Sequence, residues 1–218
     1  MVKGYAKGYP MKYVSFVSKK GGVAKSTSAI HFAYWLSQQD HQVALIDDDA
    51  NRSALKWEAR AKDNPKFELT FKIASFAKMA KAVAGTDYVI LDTQASISDD
   101  DLKDLAEDSD LVIIPTKVDV DSASAAIETA NAIANYQGHY RILLTDVLTA
   151  SKSGEELAED LTADGYHLLG TQIRRGEGVR HASLAGSTLA QQTGGYRRPW
   201  RDYEKAFKEI YSIIQEES

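Results

Sequence analysis

Short apolar runs, each closed by a polar residue or a proline and followed by a helical pattern, constrain this chain more than any other feature. Tyr13-Val-Ser-Phe-Val17, Val43-Ala-Leu-Ile46, Tyr88-Val-Ile-Leu91, Leu111-Val-Ile-Ile114 and Tyr140 to Thr145 read as buried strands. Phe67 to Ile73 and Tyr166 to Leu169 are weaker candidates, giving about seven strands in all. Between them, Ser26 to Ser37, the segment holding Leu55 and Trp57, Phe76 to Val83, Ser122 to Tyr136, Gly154 to Asp164, Val179 to Ala185 and Trp200 to Ile214 read as helices. The acidic stretch after Asp92 reads as one more, solvated helix. Such alternation predicts an α/β fold: a mostly parallel, twisted sheet covered by helices on both faces. In such a sheet, ligands bind beyond the carboxyl ends of the strands.

The chain has 218 residues, against a prior of ~150 per domain, so one domain over residues 12–218 behind a flexible extension at 1–11 is expected. No apolar run approaches the ~20 residues of a membrane span. The first ten residues contain no apolar segment of the secretory type. Without cysteine, disulfides, thiolate metal sites, iron–sulfur clusters and cysteine nucleophiles are excluded, and a cytoplasmic location is expected. The five histidines lack metal-ligand spacing. The net charge of −5 conceals an asymmetry. Residues 92–121 hold ten acids against Lys103 and Lys117, while 171–208 hold eight bases against Glu177, Asp202 and Glu204. Opposite signs on separate segments point to partners for particular faces.

Lys20-Gly21-Gly22-Val23-Ala24-Lys25-Ser26-Thr27 stands between the first strand and the first helix. Glycines let backbone N–H groups surround phosphate oxygens, the helix start adds positive potential, and Lys25 can neutralise β and γ oxygens. Ser26 is placed to offer its hydroxyl to Mg²⁺. A glycine turn with a Ser/Thr cap would use the same letters, but the strand–loop–helix setting favours the phosphate reading. The standard P-loop spelling differs, because Lys19 and Ala24 occupy its glycine positions.

The spelling instead resembles the deviant Walker A motif of the ParA/MinD family, KGGxxK[ST]. That resemblance implies binding of ATP with Mg²⁺ by residues 20–27 and partner-stimulated, slow ATP hydrolysis. It makes Lys20 a signature lysine that reaches the nucleotide of a second copy in an ATP-dependent dimer. Ala24 departs from the usual glycine. Leu45-Ile-Asp47-Asp-Asp49 resembles the family's second motif, DxDxQ, with Asn51 in the Gln place. By that match Asp49 orients the attacking water, making Lys20 and Asp49 the catalytic pair, and Asp47 supports the metal. Tyr88-Val-Ile-Leu-Asp92 resembles Walker B, so Ser26, Asp47 and Asp92 form the expected metal set. Pro115, with Asp119 and Asp121 behind it, resembles a segment that contacts nucleotide or the facing subunit; the proline is equally well explained as a strand terminator.

The resemblance covers about residues 12–215 and is greatest to small ParA-type ATPases without an N-terminal helix-turn-helix domain. Such proteins bind DNA nonspecifically, associate with the nucleoid, and move a plasmid, a chromosome or a protein body such as a carboxysome with a ParB-like adaptor. Independently, Arg174, Arg175, Arg180, Arg197, Arg198, Arg201, Lys205 and Lys208 suit phosphate contacts, with Tyr196 and Trp200 interleaved. Arg201, Lys205 and Lys208 share a helix face. Two alternatives remain: a MinD-like membrane-associated ATPase, disfavoured by the acids that close the chain, and an ATP-binding switch with little hydrolysis, which Ala24 keeps open.

Overall fold

The computed structural model describes residues 11–95 and 97–216. The extension expected at 1–11 lies, but for Met11, outside them. Six strands, β1 Lys12–Phe16, β2 Val43–Asp47, β3 Lys72–Ser75, β4 Tyr88–Asp92, β5 Leu111–Lys117 and β6 Tyr140–Thr145, form one sheet in the order β3-β2-β4-β1-β5-β6. Every pairing is parallel. The central strands are buried on both faces, which is why they read as unbroken apolar runs rather than as alternation.

Among the described residues the α-helices are α1 Lys25–Ser37, α2 Ser53–Lys62, α3 Met79–Ala82, α4 Asp99–Asp108, α5 Val120–Asn135, α6 Ser153–Ala163, α7 Glu177–Ala185 and α8 Arg198–Glu216. One core packs α1 and α8 on the sheet through Phe16, Phe32, Trp35, Tyr203 and Phe207; another packs α4, α5 and α6 on the opposite side through Leu102, Ile133 and Leu161. Much of the acidic run serves α4. Ser98 caps it by accepting the Asp101 N–H, and Asp99, Asp100 and Asp101 fill its first turn, where the helix dipole favours negative charge. Asp119 caps α5 by accepting the Ser122 N–H at 2.9 Å.

Three expectations shift. The third strand begins at Lys72, not Phe67, because its ladder runs along only four residues of β2. The fifth continues through Pro115 to Lys117. Pairing of β5 with β1 has ended by Ile113, whose carbonyl accepts the Val17 N–H, so the missing proline N–H removes no ladder bond from β1. The seventh strand is reduced to isolated bridges, Ile142 with Leu168 and Val147 with Arg174. Between them the chain turns away, and Glu209 of α8 accepts the Gly170 N–H and the Thr171 hydroxyl.

His31 ties α1 to the 187–192 segment. Its Nδ1–H donates to the Thr27 carbonyl at 2.7 Å and its Nε2 accepts the Leu189 N–H at 2.9 Å. The ring stacks on Tyr203. Burial pulls its pKa down to about 4, against a smaller opposing contribution from Thr27. A folded-state value below the unfolded one gives stability that is present above pH ~6.5 and lost as pH falls from there through the folded-state value of about 4. The stability difference between the wild type and His31→Gln is therefore expected to shrink by roughly 3 kcal/mol between pH 7 and pH 4, measured by urea unfolding. A pH-independent difference would refute the neutral ring.

Candidate functional site at the carboxyl edge of the sheet

β1 lies between β4 and β5, so the loop leaving it opens where the strand order diverges. Gly22 sits at φ +76°, and a Cβ on Gly21 or Gly22 would meet nothing within 4 Å, so the loop faces open space. The first turn of α1 has neither a side-chain cap nor an acid, leaving its positive end for an anion. Ala24 also adopts the left-handed region, at φ +71°. For an alanine this costs about 1–2 kcal/mol. Ala24→Gly is expected to raise stability by up to about 1 kcal/mol, as removed strain exceeds the added chain entropy, and to speed hydrolysis. Urea unfolding and phosphate release check both, and an unchanged hydrolysis rate would clear the methyl group of any catalytic effect.

The carboxylates at the edge differ in their surroundings. Asp92 ends β4 fully buried, and neither of its oxygens is in a hydrogen bond of good geometry among the described residues. Burial pushes its pKa up to about 7; the Ser26 hydroxyl and Lys25 oppose the rise, while Asp47 and Asp49 add to it. Lys25 is also buried, with Nζ 3.4 Å from the Lys20 carbonyl. Desolvation lowers its pKa, opposed by Asp92 and Asp49. Asp47 is spent on the backbone, accepting the Asp49 N–H at 3.1 Å and the Leu55 N–H at 2.9 Å, which fixes the turn that carries Asp49. Asp49 accepts the Asn51 N–H and faces the cleft.

Among the described residues no group of three acids or histidines could hold a metal alone. Mg²⁺ does not require one, because it keeps several waters and takes phosphate oxygens besides one or two protein ligands. The orphaned Asp92 oxygens beside Ser26 fit that requirement.

A cleft of about 590 Å³ opens here. Gly21, Gly22, Ala24, Lys25, Ser26 and Thr27 line it together with Asp49 and Asn51, and Lys117, Thr145, Asp146, Arg174, Arg175 and Tyr203 complete the lining. Of the expected nucleotide contacts, Val23 and Pro115 are buried and do not line the cleft; of the expected metal set, Ser26 lines it and Asp47 and Asp92 do not. Lys20 points outward instead, its Nζ 3.3 Å from Asp121 of α5. Asp146, Trp57 and Tyr203 were not legible as cleft residues. Asp146 at φ +57° follows β6 without any motif, and the two aromatics match ordinary helix periodicity.

Residues 14–189 match the CobQ/CobB/MinD/ParA nucleotide binding domain. The chain belongs to that family. Maintenance of carboxysome distribution protein A from Gloeobacter kilaueensis is 27% identical over 212 residues, which is 95% of this chain and 97% of that protein. Among solved structures, a plasmid partition protein from Borrelia burgdorferi B31 bound to AMPPNP aligns with a TM-score of 0.72 at 19% identity, covering 96% of this chain and all of that one. The MinD cell division protein of Aquifex aeolicus aligns with a TM-score of 0.71 at 15% identity, covering 92% and 97%. At such identities the structural likenesses speak for the fold.

In this CobQ/CobB/MinD/ParA chain the eight candidate DNA contacts fall into two groups. Arg174 and Arg175 line the cleft and are held by carboxylates, although their side chains remain 41% and 57% exposed. Arg174 forks onto Asp202 through Nε at 2.5 Å and Nη2 at 2.7 Å, and Arg175 onto Asp146 with two bonds of 2.9 Å. Arg180, Arg197, Arg198, Arg201, Lys205 and Lys208 are exposed, along α7, the turn at Gly194–Arg197 and the outer face of α8. The opposite face of α8 buries Trp200, Tyr203, Phe207 and Ile210. Among the described residues no helix is long and apolar enough to cross a membrane.

Proposed function

We propose that the chain is a ParA-type ATPase that binds ATP with Mg²⁺, pairs with a second copy across the bound nucleotides, binds DNA nonspecifically in that state, and positions a cargo. The carrying observation is the fully buried Asp92 carboxylate beside Lys25 and the Ser26 hydroxyl, with neither oxygen in a hydrogen bond of good geometry among the described residues. A buried charge left unpaired is costly unless a ligand completes it. Ser26 and Asp92 would hold Mg²⁺, which withdraws charge from the β and γ oxygens when bound. The Gly21-Gly22 loop and the start of α1 surround the phosphates, and Lys25 neutralises their oxygens. Asp49, held in place by the turn that Asp47 fixes, accepts a hydrogen bond from the attacking water and orients it toward the γ-phosphorus. Lys20, which already points outward, supplies a cation to the second copy's γ-phosphate in the role of an arginine finger.

The exposed bases on α7 and α8 contact DNA phosphates, which implies a nucleoid-associated cytoplasmic protein. A ParB-like adaptor is expected to stimulate hydrolysis and so release the DNA. The name of the Gloeobacter relative favours a protein body such as a carboxysome as cargo, and that of the Borrelia neighbour a plasmid. Ala24 in a left-handed conformation favours slow turnover, which is also what an ATP-binding switch would show.

The test is DNA affinity with ADP, ATP and a nonhydrolysable analogue. Tight binding is expected with ATP and the analogue only, weakening about a hundredfold or more between 50 and 200 mM salt. Equal affinity in all three states refutes the nucleotide switch, and a flat salt response refutes the phosphate contacts.

A further inference from the structure

The cleft and the basic face of α8 meet through a direct contact. Arg174 lines the cleft, and its guanidinium and backbone N–H all donate to Asp202, whose side chain is only 10% exposed. Asp202 stands in the first turns of α8, four residues after Arg198 and directly after Arg201, both exposed on the outer side. Tyr203 also lines the cleft, with its hydroxyl 3.1 Å from Ser28, three residues past Lys25.

The backbones are pressed together as well. A Cβ on Gly176 would lie 2.6 Å from Pro199 Cγ, and one on Gly178 would lie 1.8 Å from the Tyr196 carbonyl oxygen, so only glycine permits this approach. The segment carrying Arg174 is fixed to the sheet edge, where the Ile173 N–H donates to Leu144 and the Arg175 N–H to Val147, each at 2.8 Å. In such a close-packed arrangement a displacement of Arg174 is passed to Asp202, the residue at the start of α8 that its guanidinium and backbone N–H both bond.

We propose that Asp202 is a positioning residue that holds Arg174 in the cleft wall and transmits nucleotide occupancy to the first turns of α8, thereby setting the arrangement of Arg198, Arg201 and Lys205. The functional consequence rests on the DNA reading above, but the coupling itself does not. It differs from a merely structural ion pair in being sensitive to ligand.

Hydrogen exchange over residues 194–205 of the full chain, with and without ATP and Mg²⁺, measures the coupling in the absence of DNA. Nucleotide is expected to slow exchange there roughly tenfold in the wild type. In Asp202→Asn the slowing is lost while ATP affinity stays within about threefold, and the ratio of DNA affinities with ATP and ADP falls to about one. Asp202→Glu, which keeps the carboxylate, restores part of the slowing. No slowing in the wild type, or undiminished slowing in Asp202→Asn, overturns the proposal. If slowing is present and depends on Asp202 but wild-type DNA affinity ignores nucleotide, the DNA reading fails and the coupling stands. Should Asp202→Asn not fold, Pro199→Ala, which loosens the contact with Gly176, is expected to weaken the slowing; an unchanged response in that variant overturns the proposal equally.

Discussion

Replacing Asp92 by asparagine is expected to stabilise the ligand-free protein and abolish its turnover in the same step. The Asp92 pKa is raised by burial to about 7. A folded-state value above the unfolded one contributes stability below pH ~4 that is lost as pH rises toward 7, because the unfolded chain releases its proton first. At pH 8 the buried charge therefore costs roughly 3–4 kcal/mol that asparagine does not incur. Urea unfolding of the two ligand-free proteins is expected to coincide near pH 4 and diverge in favour of the variant by pH 8. Part of the gain is offset because Lys25 loses the carboxylate that sustains its charge. Removing that charge also removes the proposed metal ligand, so hydrolysis falls about a hundredfold or more, and Mg²⁺ no longer tightens nucleotide binding. A variant that is no more stable at pH 8 would show that Asp92 is not an uncompensated charge. One that hydrolyses ATP normally would remove it from the metal site.

The second large effect concerns Lys20. Its ammonium lies outside the cleft of its own chain, paired with Asp121. Both side chains are substantially exposed, so this pair contributes little to stability and releases easily. Lys20→Ala is expected to bind ATP about as well as the wild type and to hydrolyse it roughly a thousandfold more slowly, the range for removing a cation that serves the transition state alone. Asp49→Ala is expected to be equally inactive. Mixing the two distinguishes action across a dimer from action within one chain. In a mixed pair, the Lys20→Ala copy keeps its own Asp49 and receives Lys20 from the Asp49→Ala copy, rebuilding one site. Random pairing then restores about a quarter of wild-type turnover. If Lys20 works within its own chain, the mixture stays inactive.

Much of this was legible in the sequence for a local reason. Strands buried on both faces must be apolar throughout, and the turns after them must expose polar groups, so the apolar runs, Lys25, Asp47 and Asp92 mark the carboxyl edge of a parallel sheet directly. Failures occurred where the deciding partner is distant. Pro115 resembled a stop, yet β5 continues because its neighbour β1 has already ended. Tyr166 to Leu169 resembled a strand, but Glu209 of α8 draws Gly170 and Thr171 away from the sheet.

The arginine-rich segment separates the two kinds of information most clearly. Composition identified a basic region, and helical spacing placed Arg201, Lys205 and Lys208 on one exposed face, because both are properties of neighbouring residues. Neither could divide Arg174 and Arg175 from the rest. Their destinations depend on Asp202 and Asp146, carboxylates 28 and 29 residues away, and on glycines that bring α8 against the cleft. The sequence by itself determined the parallel α/β scaffold, the phosphate loop and the acids beside it, since φ/ψ preference and periodicity are local. The tertiary structure alone decided which bases line the cleft, which lie along α7 and the outer face of α8, and that the Arg174–Asp202 pair links the two, because those outcomes depend on packing between segments remote along the chain.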